Sequence, residues 1–369
     1  ATNMRAGADI TCTFTNRKTA QLTLRKTWIN AKVNDAVTVT TAGGTVNPSF
    51  ASVANTANET DTGTATTVFA GETLTFTEPF SVGSAANYNA SLSCTGATDT
   101  NLANGLTINA ADSNITCTYT NTRITQNLTV VKQWTNATTG HTATVTTTGG
   151  TNNSTFSATA PSTGLTGTTV TVYAGDVVTL PAETFGGGAS ASDYNSTVAC
   201  SGGSTLVSGS VGRTVTIGNS TTATTCTYSN SRKVATLQLV KAWGANSSAS
   251  DSANIGATTG GLNNTSSFST AGGTAANSGT AVTIAVGNTI TFPAETGTNI
   301  TNYTTVLSCT ANGGATANTL SGTDGQVSNT LVIGAGDEGK AIVCTYTNTR
   351  KSATLRLAKA WGANSITSN

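Results

Sequence analysis

The chain has 369 residues, of which 9% are charged, and its formal net charge is +1. A charge this small provides no electrostatic field that would attract nucleic acid or an anionic membrane surface. The apolar runs also fall short of the roughly 18 residues that would suggest a membrane-spanning helix. We therefore expect no nucleic acid as a partner and no membrane insertion within this segment.

The predicted elements are short strands. Residues 10–16 form the first, and they carry the pattern Cys-x-Phe/Tyr-x-Asn. Residues 22–28 alternate strictly between apolar and polar side chains, which is typical of a half-buried strand, and they end in Lys-x-Trp. Six more strands follow in this repeat, with Gly and Asn turn signals between them. Their predicted ranges are 36–41, 64–69, 73–78, 88–94, 105–108 and 115–121.

Seven short strands per repeat, without helical periodicity, predict an all-β fold of tandem antiparallel β-sandwich domains. The two motifs recur with a period of about 110 residues, the size of one small domain. We expect repeats over residues 19–123, 124–232 and 233–350. Residues 1–18 are expected to hold the last strand of a preceding repeat, and residues 351–369 the first strand of a following one. On this interpretation the open ends are Cys12, Asn16 and Lys359.

The cysteines divide into one pair per repeat, with Cys12 left over. A metal site is a weak alternative because the sequence has one histidine and no Cys-x-x-Cys motif. One pair in each repeat predicts one disulfide per domain and an oxidising, extracellular setting. The predicted pairs are Cys94 with Cys117, Cys200 with Cys226, and Cys309 with Cys344.

Strand parity places charged and amide side chains on the apolar face. Lys26 shares its face with Trp28, and Asn121 shares its face with Cys117, which must point inward to meet its partner. Glu78 ends the predicted strand 73–78 and shares its apolar face with Leu74 and Phe76. The corresponding sets are Lys132, Glu183 and Asn230 in the second repeat and Lys241, Glu295 and Asn348 in the third.

The second and third glutamates are one residue out of phase with the strand before them. A bulge at Pro181 or Pro293 would restore the inward direction, because proline is tolerated at bulges. With such a bulge, all three repeats would bury the same three side chains.

A charged lysine inside a sandwich is costly unless it is paired, and three explanations compete. The lysine could lie near a strand end and extend its amine to water. It could form a buried ion pair with the glutamate, with the asparagine hydrogen-bonded beside it. It could also form an isopeptide bond, because burial lowers the pKa of a lysine and its neutral amine can attack a carboxamide carbon. In that case Glu78, Glu183 and Glu295 would be catalytic, shuttling the proton as ammonia leaves.

A lysine on the first strand, a glutamate in a middle strand, a tyrosine soon after it and an asparagine on the last strand resemble the prealbumin-like, collagen-adhesin B-type domain. The resemblance covers essentially the whole chain and implies a pilin shaft or adhesin stalk on a bacterial surface. The cysteine pair and Lys-x-Trp are additional, and look like the long Thr-rich repeats of large surface proteins of Gram-negative bacteria. The matching tyrosines are Tyr88, Tyr194 and Tyr303.

The leading functional hypothesis is a structural repeat region of a secreted bacterial surface fibre, pilus-like filament or giant adhesin stalk. The alternative is a series of ligand-binding modules for glycans or proteins, although the loops are poor in Trp, Tyr and Arg, the usual hot-spot residues. An ice-binding face would need a flat array of short period, and an enzyme would need a catalytic set that the sequence lacks. We expect no metal and no cofactor. The expected partners are neighbouring repeats or other copies, with host, cell-surface or glycan ligands bound through regions outside this segment.

Overall fold

The computed structural model describes residues 7, 9, 11–14, 16–162, 164–204, 208–209, 211–259, 265–273, 276–311, 315–316 and 320–362. Strands make up most of the described chain, and short 3-10 helices occur in some connections. The 3-10 helices are Ala85–Asn87, Leu102–Asn104, Ala191–Asp193, Ile300–Asn302 and Ala335–Asp337. Among the described residues, no helix is long and apolar enough to cross a membrane.

The first part of the chain forms two sheets that face each other. Its strands are β1 Thr19–Ile29, β2 Ala36–Ala42, β3 Ser49–Val53, β4 Glu59–Thr62, β5 Thr66–Phe69, β6 Thr73–Thr77, β7 Phe80–Val82, β8 Tyr88–Thr95, β9 Leu106–Thr107 and β10 Asn114–Arg123. One sheet has the order β4-β1-β10-β8, with β5 also paired to β1, and the other has the order β3-β2-β6-β9, with β7 paired to β2. Leu22 of β1 packs in one cluster with Val39 of β2 and Leu74 of β6. The core therefore lies between the two sheets, as in a sandwich.

The next part repeats this arrangement with small differences in the second sheet. Its strands are β11 Thr125–Thr135, β12 Thr142–Thr146, β13 Thr155–Thr159, β14 Leu165–Tyr173, β15 Val177–Leu180, β16 Thr184–Gly186, β17 Tyr194–Ser201, β18 Ser208–Gly209, β19 Arg213–Thr216 and β20 Thr224–Arg232. The larger sheet has the order β14-β11-β20-β17-β18. Opposite it lie β13-β12-β16 and the pair β15-β19, joined by a bridge between Thr148 and Thr179.

The last part has the same two-sheet plan. Its strands are β21 Val234–Trp243, β22 Ser252–Thr259, β23 Thr265–Ala271, β24 Asn277–Ser278, β25 Val282–Ala285, β26 Thr289–Phe292, β27 Tyr303–Ala311, β28 Ala315–Thr316, β29 Asn329–Val332 and β30 Ala341–Arg350. The sheets have the orders β24-β21-β30-β27-β28, with β25 on β21, and β23-β22-β26-β29. The prediction of an all-β sandwich is confirmed.

The first and last strands of each repeat are neighbours and run parallel. Leu22 of β1 lies opposite Ile115 of β10, and Trp28 lies opposite Asn121. The same parallel pairing joins β11 to β20 and β21 to β30. The other pairings in these sheets are antiparallel, so the predicted antiparallel sandwich contains one parallel pair per repeat. This pair brings the two ends of the repeat onto one sheet.

Three strands of the first repeat were absent from the sequence prediction. These are β3, β4 and β7, and β4 has the polar sequence Glu-Thr-Asp-Thr. Such a strand lies at the edge of its sheet and buries little, so its sequence does not alternate between apolar and polar residues. The predicted seven strands correspond to β1, β2, β5, β6, β8, β9 and β10.

The terminal segments lie outside these sheets. Residues 11–14 and 16–18 have no strand, and neither do residues 351–362. Phe14, Leu355, Leu357 and Trp361 are largely exposed. The remaining residues of the predicted strand 10–16, namely 10 and 15, lie outside the described residues, as do residues 363–369 of the predicted C-terminal segment. The strands predicted for both terminal segments therefore have no sheet partner in the described part of the chain.

Candidate functional site

The lysine of each repeat is buried beside the tryptophan two residues further on. Lys26, Lys132 and Lys241 are each 0% exposed, so none extends its amine to water. Nζ of Lys26 lies 4.4 Å from the centroid of the Trp28 ring, and the corresponding distances are 4.4 and 4.7 Å in the other repeats. Ring contact favours the cation, whereas burial disfavours it. Burial lowers the pKa of Lys26 and Lys132 to about 8 and also lowers the pKa of Lys241, although the glutamate beside each lysine opposes the shift.

Each lysine amine contacts the predicted glutamate. Nζ of Lys26 lies 2.8 Å from Oε1 of Glu78, which follows the end of β6. Both side chains are almost completely removed from solvent, so the contact is a buried pair of opposite charges. The corresponding Nζ–Oε1 distances are 3.0 Å for Lys132 and Glu183 and 2.9 Å for Lys241 and Glu295.

The inward direction of the second and third glutamates does not come from a bulge within a strand. The strand β15 ends at Leu180 and β26 ends at Phe292, immediately before the prolines. Glu183 and Glu295 lie in the connecting segments, where strand alternation no longer applies. Here the structure differs from the predicted bulge: proline ends the strand because it cannot donate a ladder hydrogen bond.

The asparagine of each repeat is buried, and in the first and third repeats it hydrogen-bonds the glutamate, whereas neither carboxamide atom of Asn230 has a hydrogen-bond partner among the described residues. Nδ2 of Asn121 donates to Oε2 of Glu78 at 2.9 Å, and Nδ2 of Asn348 donates to Oε1 of Glu295 at 3.3 Å. Asn121, Asn230 and Asn348 are at most 1% exposed. Within the described residues, the carboxamide oxygens of all three lack a hydrogen-bond partner. A buried unpaired carbonyl is costly, so the asparagines require a further explanation.

Register explains why these side chains meet. In the parallel pair, Lys26 lies opposite Tyr119, and Trp28 lies opposite Asn121. The lysine and the asparagine are therefore diagonal neighbours on the same face of adjacent strands. Nζ of Lys132 also donates to the carbonyl of Tyr228 at 3.4 Å, which holds the amine against the last strand. The geometry is compatible with an ion pair beside an asparagine and with a cross-link from lysine to asparagine.

Each repeat contains one disulfide, as predicted. The bonds join Cys94 to Cys117, Cys200 to Cys226 and Cys309 to Cys344, across sequence separations of 23, 26 and 35 residues. Each bond links directly opposed residues of two antiparallel strands, such as β8 and β10. Cys12 is free and exposed. Of the other residues predicted at the open ends, Lys359 has Nζ 3.7 Å from the centroid of the Trp361 ring, and Asn16 lies outside any strand.

A second buried polar group lies around the tyrosine that follows the glutamate. The hydroxyl of Tyr88 donates to Oδ2 of Asp35 at 2.6 Å, and that of Tyr303 donates to Oδ2 of Asp251 at 2.5 Å. These acidic partners were not predicted from the sequence. A usable signal exists, because each acid directly precedes the second strand of its repeat.

In the second repeat a histidine takes the place of this acid. Nδ1 of His141 lies 2.7 Å from the hydroxyl of Tyr194 and 3.0 Å from Nη1 of Arg232, whose guanidinium lies 3.8 Å from Asp193. Burial, followed by the positive charge of Arg232, lowers the pKa of His141, while Asp193 opposes the shift. The folded repeat therefore favours the neutral imidazole.

The second repeat should lose stability as the pH falls below about 6.5, the ordinary pKa of histidine. Below that pH His141 is protonated in the unfolded chain but stays neutral in the folded chain, which favours unfolding. The stability continues to fall until the pH passes the lowered pKa of His141 in the folded state. Urea midpoints between pH 8 and pH 5 measure the effect, and the single histidine gives one imidazole NMR titration. His141→Asp, which copies the other repeats, should remove the imidazole contribution to this pH dependence. A folded-state pKa of 6.5 or higher would contradict the expectation.

Comparison with known proteins agrees with the observed fold. The family described as the prealbumin-like fold domain matches residues 21–123 and 236–350, more than half of the chain. A search of curated proteins finds no match.

Similar solved structures include a mutant of the major pilin from Streptococcus pyogenes, with 15% identity, a TM-score of 0.37, and coverage of 61% of this chain and 99% of that one. The Bacillus anthracis TIE protein has 9% identity and a TM-score of 0.38, with coverage of 90% of this chain and 51% of that one. An adhesin from Mobiluncus mulieris, described as containing intramolecular disulfide, isopeptide and ester bond cross-links, has 10% identity and a TM-score of 0.25, with coverage of 58% and 87%. Similarities this low do not transfer a function.

Proposed function

We propose, since this chain belongs to the family of prealbumin-like fold domains, that it is the structural repeat region of a bacterial surface fibre, pilus-like filament or adhesin stalk. In this proposal residues 19–123, 124–232 and 233–350 are three load-bearing repeats. Each is closed by its disulfide and by an isopeptide bond from lysine to asparagine. The region acts outside the cell, where disulfides persist, and its immediate partners are neighbouring repeats or other copies.

The observation that carries this proposal is the buried contact of amine, carboxylate and carboxamide in one core. Lys26 is completely buried against Glu78, and Glu78 accepts from Asn121. The carboxamide oxygen of Asn121 is buried without a hydrogen-bond partner among the described residues. The missing partner does not by itself distinguish an ion pair from a cross-link, because the isopeptide product keeps the same carbonyl oxygen. A Glu78 that has taken up a proton would be a donor for this oxygen and would polarise the carbonyl for attack.

These contacts suggest a route for the formation of the isopeptide bond. With its pKa lowered to about 8, about a tenth of the Lys26 amine is neutral at pH 7, compared with less than about one part in a thousand at the ordinary pKa of a lysine. Its nitrogen attacks the side-chain carbonyl carbon of Asn121, and a new C–N bond forms. Glu78 accepts a proton from the attacking nitrogen and transfers a proton to Nδ2 of Asn121, the atom with which it is already in contact. The old C–N bond breaks, ammonia leaves, and the product is a neutral amide that removes the buried lysine charge.

The position of the bond suits a load-bearing role. Force that enters at the N-terminal end of β1 reaches Lys26 along the strand, crosses to Asn121 and leaves along the end of β10. The load then bypasses the rest of the repeat. In the parallel register of β1 and β10, the same force also loads the interstrand hydrogen bonds in shear. A repeat linked in this way should resist extension until a covalent bond breaks.

Intact mass tests the cross-link directly. The reduced chain should have a mass lower than its sequence mass by one ammonia for each of the three repeats. Glu183→Gln keeps the shape of the side chain but removes its carboxylate, so this variant should lose ammonia in two repeats only. Digestion should also yield a branched peptide that joins Lys132 to Asn230 in the parent chain. A parent chain with its full ammonia content would rule out the isopeptide bond and leave the buried ion pair.

A further inference from the structure

Three arginines, Arg17, Arg123 and Arg232, each contact a turn of the repeat that follows them in the chain. The turns join the two strands before the glutamate and comprise residues 69–72, 173–176 and 285–288, which we name the socket turns. Arg123 and Arg232 each stand two residues after the asparagine of their last strand. Arg17 stands directly after Asn16 and makes the corresponding contact with the first socket turn.

The contact of Arg123 with the second socket turn is buried and involves several groups. Nε donates to the carbonyl of Ala174 at 2.8 Å, and Nη2 lies 2.9 Å from Oδ1 of Asp176. The guanidinium carbon lies 5.6 Å from the centroid of the Tyr173 ring. Arg123 is 5% exposed, so water hardly competes for these hydrogen bonds. Asp176 is held in turn by the backbone NH groups of Tyr173 and Thr151.

Arg17 repeats the pattern on the first socket turn. Its guanidinium donates to the carbonyl of Ala70 at 3.2 Å, lies 3.0 Å from Glu72 and lies 5.2 Å from the centroid of the Phe69 ring. A backbone hydrogen bond accompanies the arginine in every case. The pairs are Ala70 NH to Lys18 carbonyl at 2.8 Å, Ala174 NH to Ile124 carbonyl at 2.9 Å, and Val286 NH to Lys233 carbonyl at 3.0 Å.

The third socket turn keeps the carbonyl but has lost the acid and the aromatic ring. Arg232 still donates to the carbonyl of Val286. Asn288 stands where the other turns have an acid, and Ala285 stands where they have an aromatic residue. Nδ2 of Asn288 is buried and lacks a hydrogen-bond partner among the described residues. The guanidinium of Arg232 instead contacts His141 of its own repeat and lies 5.0 Å from the centroid of the Tyr194 ring.

We propose that the socket turn is the docking site for the terminal arginine of the preceding repeat, and that its last residue sets the stiffness of the joint. An acid at this position closes a buried ion pair across the joint and holds both repeats in one orientation. An asparagine leaves the guanidinium held by a single carbonyl on the far side. Nδ2 of Asn195 also donates to Oε1 of Glu338 across this joint, but both side chains are exposed and water competes for that bond. The joint at Arg232 therefore bends more than the joint at Arg123. The proposal rests on the role of the chain as a stalk, because joint stiffness matters only in a tandem array. The partner that fits a socket turn is another repeat with an arginine shortly after its last-strand asparagine.

Reciprocal exchange of the two residues tests the proposal in the full chain. Nitroxides are attached through a ketone-bearing non-natural amino acid at Ser93, Ala199 or Ser308, equivalent exposed positions directly before a disulfide cysteine. Distances are measured by pulsed electron paramagnetic resonance for the pairs 93–199 and 199–308. In the parent chain the 93–199 distribution should be the narrower one. Asp176→Asn should widen it to the width of the 199–308 distribution, and Asn288→Asp should narrow the 199–308 distribution.

Two further measurements separate the possible causes of a negative result. Arg123→Gln should widen the 93–199 distribution and leave 199–308 unchanged, whereas a general loss of folding would widen both. The intact mass of every variant reports the cross-links independently of the distances. If the mass equals the full sequence mass and the distance widths are as expected, the isopeptide bond is rejected and the proposal on joint stiffness is kept. Unchanged widths in Asp176→Asn and Arg123→Gln, or in Asn288→Asp, would overturn the joint proposal.

Discussion

The double variant Lys132→Met, Glu183→Leu should lower the free energy of unfolding of the second repeat by about 4–5 kcal/mol. It removes the isopeptide bond, which closes a loop of about 100 residues in the unfolded chain. An ion pair alone predicts the opposite sign. Replacing both members of a buried pair with apolar residues of similar volume is often neutral or stabilising, by about 1–4 kcal/mol. Urea unfolding followed by Trp134 fluorescence measures the effect, in a chain whose other tryptophans are replaced by phenylalanine.

The control for this measurement is the same double substitution in an Asn230→Ala background. That background lacks the carboxamide, so no cross-link can form, and only the charged pair is removed. The double substitution should then cost little or should stabilise the repeat. Equal losses in both backgrounds would show that packing of the new side chains, and not a covalent bond, causes the effect. If the double substitution does not lower the stability of the chain that keeps Asn230, the lysine and the glutamate form an ion pair without a cross-link.

Replacing Cys200 and Cys226 together with alanine should lower the stability of the second repeat by about 3–4 kcal/mol, because the disulfide closes a loop with a sequence separation of 26 residues. The bond joins β17 to β20, and the proposed isopeptide bond joins β11 to β20. Residues 200–226 lie inside the loop from 132 to 230 that the isopeptide bond would close, so the disulfide adds a second restriction to part of the same loop. The loss of stability is measured by Trp134 fluorescence in urea, once by comparing the variant with the parent chain and once by comparing the reduced with the oxidised parent chain. The two comparisons should give the same loss.

Cys12→Ala is the matched control for the disulfide variant, because Cys12 is exposed and outside any disulfide. This substitution should leave the urea midpoint of every repeat unchanged. If reduction of the parent chain leaves the midpoint of the second repeat unchanged, the disulfide does not contribute to its stability. The isopeptide bond would then be the main covalent constraint in the repeat.

Much of the fold could be predicted because strands that form a core alternate between apolar and polar residues. Burial alternates over the whole length of β1, and its apolar residues Leu22, Leu24 and Trp28 are buried as the pattern predicts. The edge strand β4 is polar on both faces, so its sequence resembles a loop. Its pairing with β1 comes from backbone hydrogen bonds, which every residue type except proline can donate and accept. The parallel pairing of β1 with β10 could not be predicted from alternation either, because a strand alternates in the same way whether its partner is parallel or antiparallel.

The buried lysine, glutamate and asparagine were predicted by the same parity, because a side chain two residues from a core residue shares its face. Alternation was not sufficient for Glu183 and Glu295, which lie beyond the last strand residue. Their inward direction depends on the connection after the proline. The acids that bind the tyrosine hydroxyls were missed because Asp35 and Asp251 lie in loops, where no periodicity indicates which side chains are buried.

The sequence by itself determined the repeat period, the cysteine pairs and the inward face that carries Lys26 and Asn121, since each depends on short-range spacing or strand parity. Tertiary structure alone decided which groups touch across a joint. Arg123 and Asp176 lie 53 residues apart in the chain, and they meet only because the last strand of one repeat leads directly into the first strand of the next. The replacement of that acid by Asn288 has no meaning in the linear sequence. It acquires one when folding places the turn that contains Asn288 against the guanidinium of Arg232.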